Sequence, residues 1–412
     1  MKPLVHLCEC ERVPHSLTPS LTHSFTHSLT HSLTPSLTHS LLHSLLHSHA
    51  RAPSPQLEET PCEVKFDVQI PEDGLVYDYL FELKGKGKWM KWTATASTEL
   101  HLRTGQKLKD AIVPTMDTIR YKYLMDICIK NRVPLLFVGP TGTGKSVYVK
   151  EKVLQELDKD AYVPLFLTFS ARTTSTQTQN FIVSKLDKRR KGVFGPRMGK
   201  QCIAFVDDLN MPAKEEYGAQ PPIELLRQWL DHWNWYDLQD CSKMGLVDIQ
   251  LVCAMGPPGG GRNTVTQRFM RHLHCITINE FDDETNQLIF RRIMDWHLDV
   301  RGFDAGSFGT VAHSIVHATA EVYKAAIKEL LPTPAKSHYL FNLRDFGRVI
   351  AGVMMSSPAA LPEPADMKRL WVHEVYRVFY DRLVFDEDRD WLYKYVRSTC
   401  TEVLGTPMDQ LL

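Results

Sequence analysis

Residues Gly139, Pro140, Thr141, Gly142, Thr143, Gly144, Lys145 and Ser146 spell the pattern G-x-x-x-x-G-K-[ST]. The spacing suits phosphate chemistry. Glycines let backbone N–H groups curl around a β-phosphate, Lys145 can reach the β and γ oxygens, and the Ser146 hydroxyl can ligate Mg2+. A bare match arises by chance, so its setting decides. The apolar run "PLLFV" (134–138) precedes it and a helical pattern (145–157) follows, which is the strand–loop–helix order that the chemistry needs.

A second pair of candidates ends the run "CIAFVDDLN" (202–210). Asp207, at the C-terminal end of a buried strand, is placed to orient Mg2+ or its water, and Asp208 to sit beside an attacking water. Two acids can also simply end a strand, and it is the phosphate loop that favours the metal role for Asp207. Further on, "CAMGPPGGGRN" puts Met255-Gly256 at the tip of the next strand, with Asn263 following. A polar group at that tip would touch the γ-phosphate or the water, but the Pro/Gly run reads equally well as a loop of no catalytic consequence.

Three arginines complete the set. Arg268 and Arg271 lie in "TVTQRFMRHLH", where either could project onto a neighbouring subunit's phosphate, and Arg344 lies in "FNLRDFGRVI". Taken singly, each is an ordinary basic surface residue. "SKLDKRRKG" (184–192) reads as a solvated loop, and the Trp-bearing "KGKGKWMKW" as a surface turn.

The elements that must position these residues follow from periodicity. Continuous apolar runs at 134–138, 163–169, 202–206, 249–255 and 274–278 alternate with helical patterns at 145–157, 174–187, 223–233 and 264–272. Strands without apolar/polar alternation, separated by helices, predict a parallel sheet covered on both faces. From 283 onward the pattern is helical only. The expected fold is therefore an α/β P-loop domain over 131–282, followed by an all-α lid and further helices over 283–412. A lead-in of short strands and a helix, opened by Asp117 as its capping residue, occupies 61–130.

Composition narrows the partners. Lys+Arg and Asp+Glu both number 48 in 412 residues, so no bulk charge recruits nucleic acid or an anionic membrane. No apolar run approaches the roughly 18–20 residues of a membrane span. Nine scattered cysteines argue for reduced thiols rather than a disulfide framework, and Cys8 with Cys10 lacks a second ligand pair for metal. Residues 1–60 hold a tetrapeptide repeat (HSLT, PSLT, HSFT and variants from His15), interrupted by Pro19 and Pro35. A period this short builds no folding unit, so a disordered low-complexity tail is expected.

Phosphate loop, paired acids, strand tip, arginine pair and helical lid, in this order, resemble an AAA+ module. The stretches "VPTMDTIRY…PLLFVGPTGTGKS", "FVDDLNMPAKEEYGAQPPIELLRQWLDHWNWYD", "AMGPPGGGRN", "RFMRH" and "FNLRDFGRVI" are similar to axonemal dynein heavy chains, specifically to their third AAA+ module. The resemblance covers roughly 64–412. It implies ATP or ADP bound by Gly139–Ser146 with Mg2+ on Ser146 and Asp207. It makes Asp208 the catalytic acid, Arg268 a finger acting on the preceding module's pocket, and Arg344 the lid sensor. It implies neighbouring modules of the same heavy chain as partners. Intermediate chains, light chains and microtubules would be reached through regions outside this chain, in the axoneme of a cilium or flagellum. On this resemblance the chain is a fragment, since tail, stalk and microtubule-binding tip are not in it.

Two departures bear on activity. Modules of this kind that hydrolyse briskly carry Glu where Asp208 stands and a polar residue near Gly256. Losing one methylene shifts the carboxylate by about 1.5 Å, and a ~1 Å misplacement can cost on the order of 10²-fold. The resemblance therefore implies a regulatory ATP-binding switch with weak turnover. A fully active ATPase engine and a structural ring module with a vestigial site remain as alternatives.

Overall fold

The computed structural model describes residues 113–411 as one continuous stretch, preceded by residues 68, 71, 73–83 and 85–95. The repeat, the expected disordered tail over 1–60, and Cys8, Cys10 and Cys62 lie outside the described residues. The described chain opens with an antiparallel hairpin, β1 (Tyr79–Glu82) and β2 (Lys88–Lys91), running into a one-turn helix α1 (Trp92–Thr95). Trp92 is buried, and its indole N–H donates to the Tyr77 carbonyl (3.0 Å). Helix α2 (Met116–Lys130) follows. Its cap is Thr115, whose hydroxyl accepts from the Thr118 N–H (3.2 Å). Asp117 sits one position inside the first turn, so its carboxylate favours the helix start electrostatically rather than as the cap.

The α/β domain then runs β3 (Leu135–Val138), α3 (Lys145–Glu151, continued by a π-helical segment Lys152–Glu156), β4 (Tyr162–Thr168) and α4 (Ser175–Val183). Two short strands, β5 (Asp187–Arg190) and β6 (Val193–Gly195), lead to β7 (Gln201–Asp207). After it come α5 (Pro221–His232), β8 (Asn234–Tyr236), β9 (Lys243–Leu246), β10 (Ile249–Met255), one-turn α6 (Gln267–Met270) and β11 (His274–Thr277). Five strands form a parallel sheet in the order β11-β3-β10-β7-β4. The strand that carries the phosphate loop is thus flanked by β10 and β11, beside the point where the strand order reverses. In open α/β sheets, ligands settle at such a point beyond the strands' C-terminal ends.

Alternating side chains along each central strand enter two separate cores. Leu136, Cys202, Ala204, Val206, Leu251 and Cys253 pack on one face against Ile223, Leu226 and Trp229 of α5 and Phe269 of α6. Leu135, Phe137, Ile203, Phe205, Val252 and Ala254 pack on the other against Tyr121, Met125 and Ile129 of α2 and Val149 of α3. Because both faces are apolar, the strands read as unbroken hydrophobic runs.

The charged stretch expected to be a loop is β5, the edge of a second sheet of order β5-β6-β9-β8. Arg189 is held there by Asp248 (2.5 Å) and the Pro196 carbonyl (2.9 Å). The strand partner of β5 is the adjacent β6, but the residues themselves are charged, so the hairpin gives no apolar signal, and the carboxylate that fixes Arg189 is 59 residues away.

The helical part comprises α7 (Asp283–Arg301), α8 (Ala305–Glu329), α9 (Leu343–Val353), α10 (Pro364–Val378), α11 (Asp386–Glu402) and one-turn α12 (Met408–Leu411). They share one core in which Trp371, fully buried, donates to the Thr319 hydroxyl (2.8 Å), and Phe290 stacks on Phe346 at 4.3 Å. The start of α9 is fixed by an Asn342–Asp345 capping box. Asp345 is itself buried and paired with Arg348 (3.0 Å) and Arg382 (2.9 Å).

One buried polar side chain joins α2 to the sheet. The Gln250 amide of β10 donates to the carbonyls of Cys128 (3.0 Å) and Val133 (2.8 Å), and its oxygen accepts from Gln201 (3.3 Å). Gln250→Leu would remove this donor from the Val133 carbonyl, while the Cys128 carbonyl keeps the Val133 N–H (2.9 Å). It should lower unfolding free energy in urea by about 1–3 kcal/mol; an unchanged midpoint would mean that this junction carries no stability.

Candidate nucleotide site

The loop after β3 is shaped by contacts that only its own residue types allow. The Gly139 N–H donates to the Met255 carbonyl (3.2 Å), tying the loop to β10. A Cβ at Gly139 would fall 2.3 Å from the Ile278 carbonyl oxygen, so the chain turns there only as glycine. The Thr143 hydroxyl donates to the Pro140 carbonyl (3.0 Å), closing the turn, and Gly144 caps α3 in the left-handed region at φ 84°. Lys145 opens α3. Its ammonium folds back on the loop, donating to the Gly139 (2.7 Å) and Pro140 carbonyls.

Asp207 closes β7 opposite Thr168 of β4, and Asp208 leaves the strand in the left-handed region at φ 52°. The Asp208 N–H donates to the Asp207 carboxylate (3.1 Å), which fixes the turn between the two acids. Asp tolerates this backbone better than most residues.

These groups face one cleft of about 520 Å³, within the usual range for small-ligand sites. Gly142, Lys145, Ser146, Asp207, Asp208 and Arg344 all line it. Val113, Phe281, Ile289, Phe290, Ile293 and Leu343 give the same cleft an apolar lining. That lining, where the helical lid meets the α/β domain, has the chemistry to take a flat ring. No motif marked it, because its walls come from four separate segments. Arg262 also lines the cleft; sequence reasoning had passed over it within the Pro/Gly run.

The lid reaches the phosphate loop directly. A Cβ placed on Gly142 would lie 3.3 Å from the Leu343 Cβ and 3.6 Å from the Arg344 nitrogen. Asn263, considered above as a polar strand-tip group, instead donates to the Pro212 carbonyl (2.8 Å) and does not line the cleft. Arg268 and Arg271 also lie outside it. Arg271 is bound to Asp231 (2.6 Å), whereas Arg268 is exposed and makes no hydrogen bond or ion pair among the described residues.

Electrostatics favour an anion. Burial depresses the Lys145 pKa to about 8, with Arg262 and Arg344 adding repulsion that Asp207 and Asp208 partly offset. For a cation, the donor set is an aspartate oxygen and a serine hydroxyl facing the same cleft. These hard oxygens fit Mg2+, which takes few protein ligands and the rest from phosphates and water. Among the described residues no cluster of three or more His, Cys, Asp or Glu side chains forms another metal site.

Residues 100–281 match the family model described as P-loop containing dynein motor region, and residues 314–411 match an AAA+ lid domain. Dynein axonemal heavy chain 12 of Rattus norvegicus is 56% identical over 335 residues, 81% of this chain and 11% of that protein. Dynein axonemal heavy chain 3 of Mus musculus is 50% identical over 344 residues, covering 83% and 8%. Dynein axonemal heavy chain 1 of Homo sapiens is 48% identical over 358 residues, covering 81% and 8%. The chain belongs to the dynein heavy-chain family. It spans about a tenth of the length of these relatives. As a dynein AAA+ module, it carries the family's nucleotide-binding loop on the parallel sheet and its lid as the helical domain.

The depressed Lys145 pKa has a direct consequence. A bound polyphosphate would raise it, so binding takes up a proton above about pH 8 and affinity falls as pH rises through that range. Calorimetric titration with ATP at pH 9, in buffers of different ionisation enthalpy, should show proton uptake and affinity several-fold below that at pH 7. A flat affinity between pH 7 and 9 would contradict it.

Proposed function

We propose that this chain is the third AAA+ module of an axonemal dynein heavy chain and that it binds Mg·ATP and hydrolyses it slowly. Its nucleotide would act as a regulatory switch for the motor. The observation that supports the reading is that Lys145, Ser146, Asp207 and Asp208 line one cleft, with an aspartate in the second acid position.

In this reading, the backbone of Gly139–Gly144 and the Lys145 ammonium bind the β- and γ-phosphates. Mg2+, held by Ser146 and Asp207, would neutralise charge on the transferred group. Asp208 takes the proton of the attacking water. Binding draws on several groups at once and is insensitive to the length of the Asp208 side chain. Turnover depends on that length directly. Arg344 contacts the nucleotide from the lid, so its charge links what is bound to how the helices sit.

Arg268, exposed and without a side-chain partner among the described residues, is suited to act in trans on the pocket of the preceding module, while Arg271 is already committed to Asp231. The partners implied are neighbouring AAA+ modules. Microtubules, and intermediate and light chains, would be engaged by parts of a heavy chain beyond these residues, in a ciliary or flagellar axoneme.

The test separates binding from chemistry. Lys145→Ala should weaken ATP binding about 10- to 100-fold. Asp208→Asn should keep affinity within about 3-fold while removing turnover, and Asp208→Glu should speed single-turnover hydrolysis by up to about 10²-fold. No binding by the parent chain, or an unchanged rate in Asp208→Glu, would overturn the proposal.

A further inference from the structure

The strand tip at Gly256, which carries no polar side chain of its own, is filled from another part of the chain. A Cβ built on Gly256 would lie 2.5 Å from Nη1, 2.6 Å from Cζ and 2.7 Å from Nε of Arg262. The guanidinium therefore occupies the space where any side chain at 256 would begin. It can be there only because residue 256 is glycine.

The intervening loop is built to return the arginine to that spot. Gly259 and Arg262 exchange both backbone hydrogen bonds at 3.0 Å, closing a two-residue turn whose centre, Gly260 (φ 55°) and Gly261 (φ 85°), is left-handed at both positions. This is a hairpin turn that requires φ > 0 twice, which accounts for the glycine run. Its two ends are pinned to one anchor. The Asn210 side chain donates to the Gly256 carbonyl (2.8 Å), and the Asn263 N–H donates to the Asn210 carbonyl (3.0 Å). Arg262 thus has little freedom to swing away.

Its hydrogen bonding is incomplete. Nη2 donates to the Thr141 hydroxyl of the phosphate loop (2.9 Å), while Nε is buried without a partner. No carboxylate pairs with it among the described residues. A guanidinium facing a cleft with unspent donors is a partner for a phosphate oxygen.

We propose that Arg262 is a nucleotide-contacting residue that reads the third phosphate in cis, substituting for the polar side chain absent at Gly256. This rests on the reading of the cleft as an ATP site and adds how ATP is told from ADP. It also assigns the Pro/Gly loop its purpose, which is to carry a guanidinium to the tip of β10 between the phosphate loop and the acids.

The experiment compares equilibrium binding of Mg·adenylyl imidodiphosphate and of Mg·ADP to the 412-residue chain and its variants. Arg262→Ala should weaken the triphosphate analogue about 10- to 100-fold and ADP by less than about 3-fold. Arg262→Lys should recover part of the difference. Gly256→Ala leaves every charge in place but intrudes on the guanidinium, and should show the same selective loss; it decides the matter if Arg262→Ala does not fold. Equal losses for both nucleotides would make Arg262 a brace for the loop and overturn the inference, as would no loss. In both cases the ATP-site reading stands. Failure of the parent chain to bind either nucleotide would overturn both.

Discussion

Three cationic side chains, Lys145, Arg262 and Arg344, converge on one half-buried cleft with two aspartates, and this concentration of charge is the constraint around which the domain is organised. Holding cations together away from water is unfavourable without an anion among them. The depressed pKa of Lys145 is the measurable form of that cost. Each cation comes from a different element: Lys145 from the start of α3, Arg262 from the turn after β10, Arg344 from the start of α9. The rigid parallel sheet, with separate cores on its two faces, holds the first two in place. The helical core, with Asp345 buried beneath the start of α9, holds the third.

In the proposed reading, this arrangement would couple the lid to bound phosphates. The first residues of α9 lie against Gly142, so a change at the loop meets the lid by contact. A site of this type exerts control when its two nucleotide states differ in the lid positions they favour, which is a coupling free energy between the pocket and its surroundings. Slow turnover suits such a role because each state then lasts long enough to be read by slower events elsewhere. The loop carrying Arg262 makes the γ-phosphate the feature that distinguishes the states.

Much of this was legible in the sequence, for identifiable reasons. The phosphate loop is a contiguous motif whose strand, turn and helix each leave a local signature. The central strands announced themselves because Ile203 and Phe205 face one core while Cys202, Ala204 and Val206 face the other. What stayed hidden lacked an apolar pattern or was set by distant contacts. β5 pairs with the neighbouring β6 through charged residues that carry no apolar pattern, and Arg189 is fixed by Asp248, 59 residues on. The apolar lining is assembled from segments as far apart as Val113 and Leu343. Arg262 looked like part of a featureless loop because its meaning lies in its closeness to Gly256, which no spacing rule encodes. The glycine run was the available clue: three successive glycines imply a turn that must go somewhere in particular.

The central claim is that the cleft holds ATP and turns it over slowly. It is tested most directly by single-turnover hydrolysis of γ-labelled Mg·ATP bound to the 412-residue chain, followed by acid quench. Ordinary enzymes turn over at about 10 s⁻¹, and a carboxylate set back by one methylene should lower that by about 10²-fold. The account predicts label recovered as ATP with a hydrolysis constant on the order of 0.1 s⁻¹ or below. Complete conversion at about 10 s⁻¹ would identify an engine and contradict it.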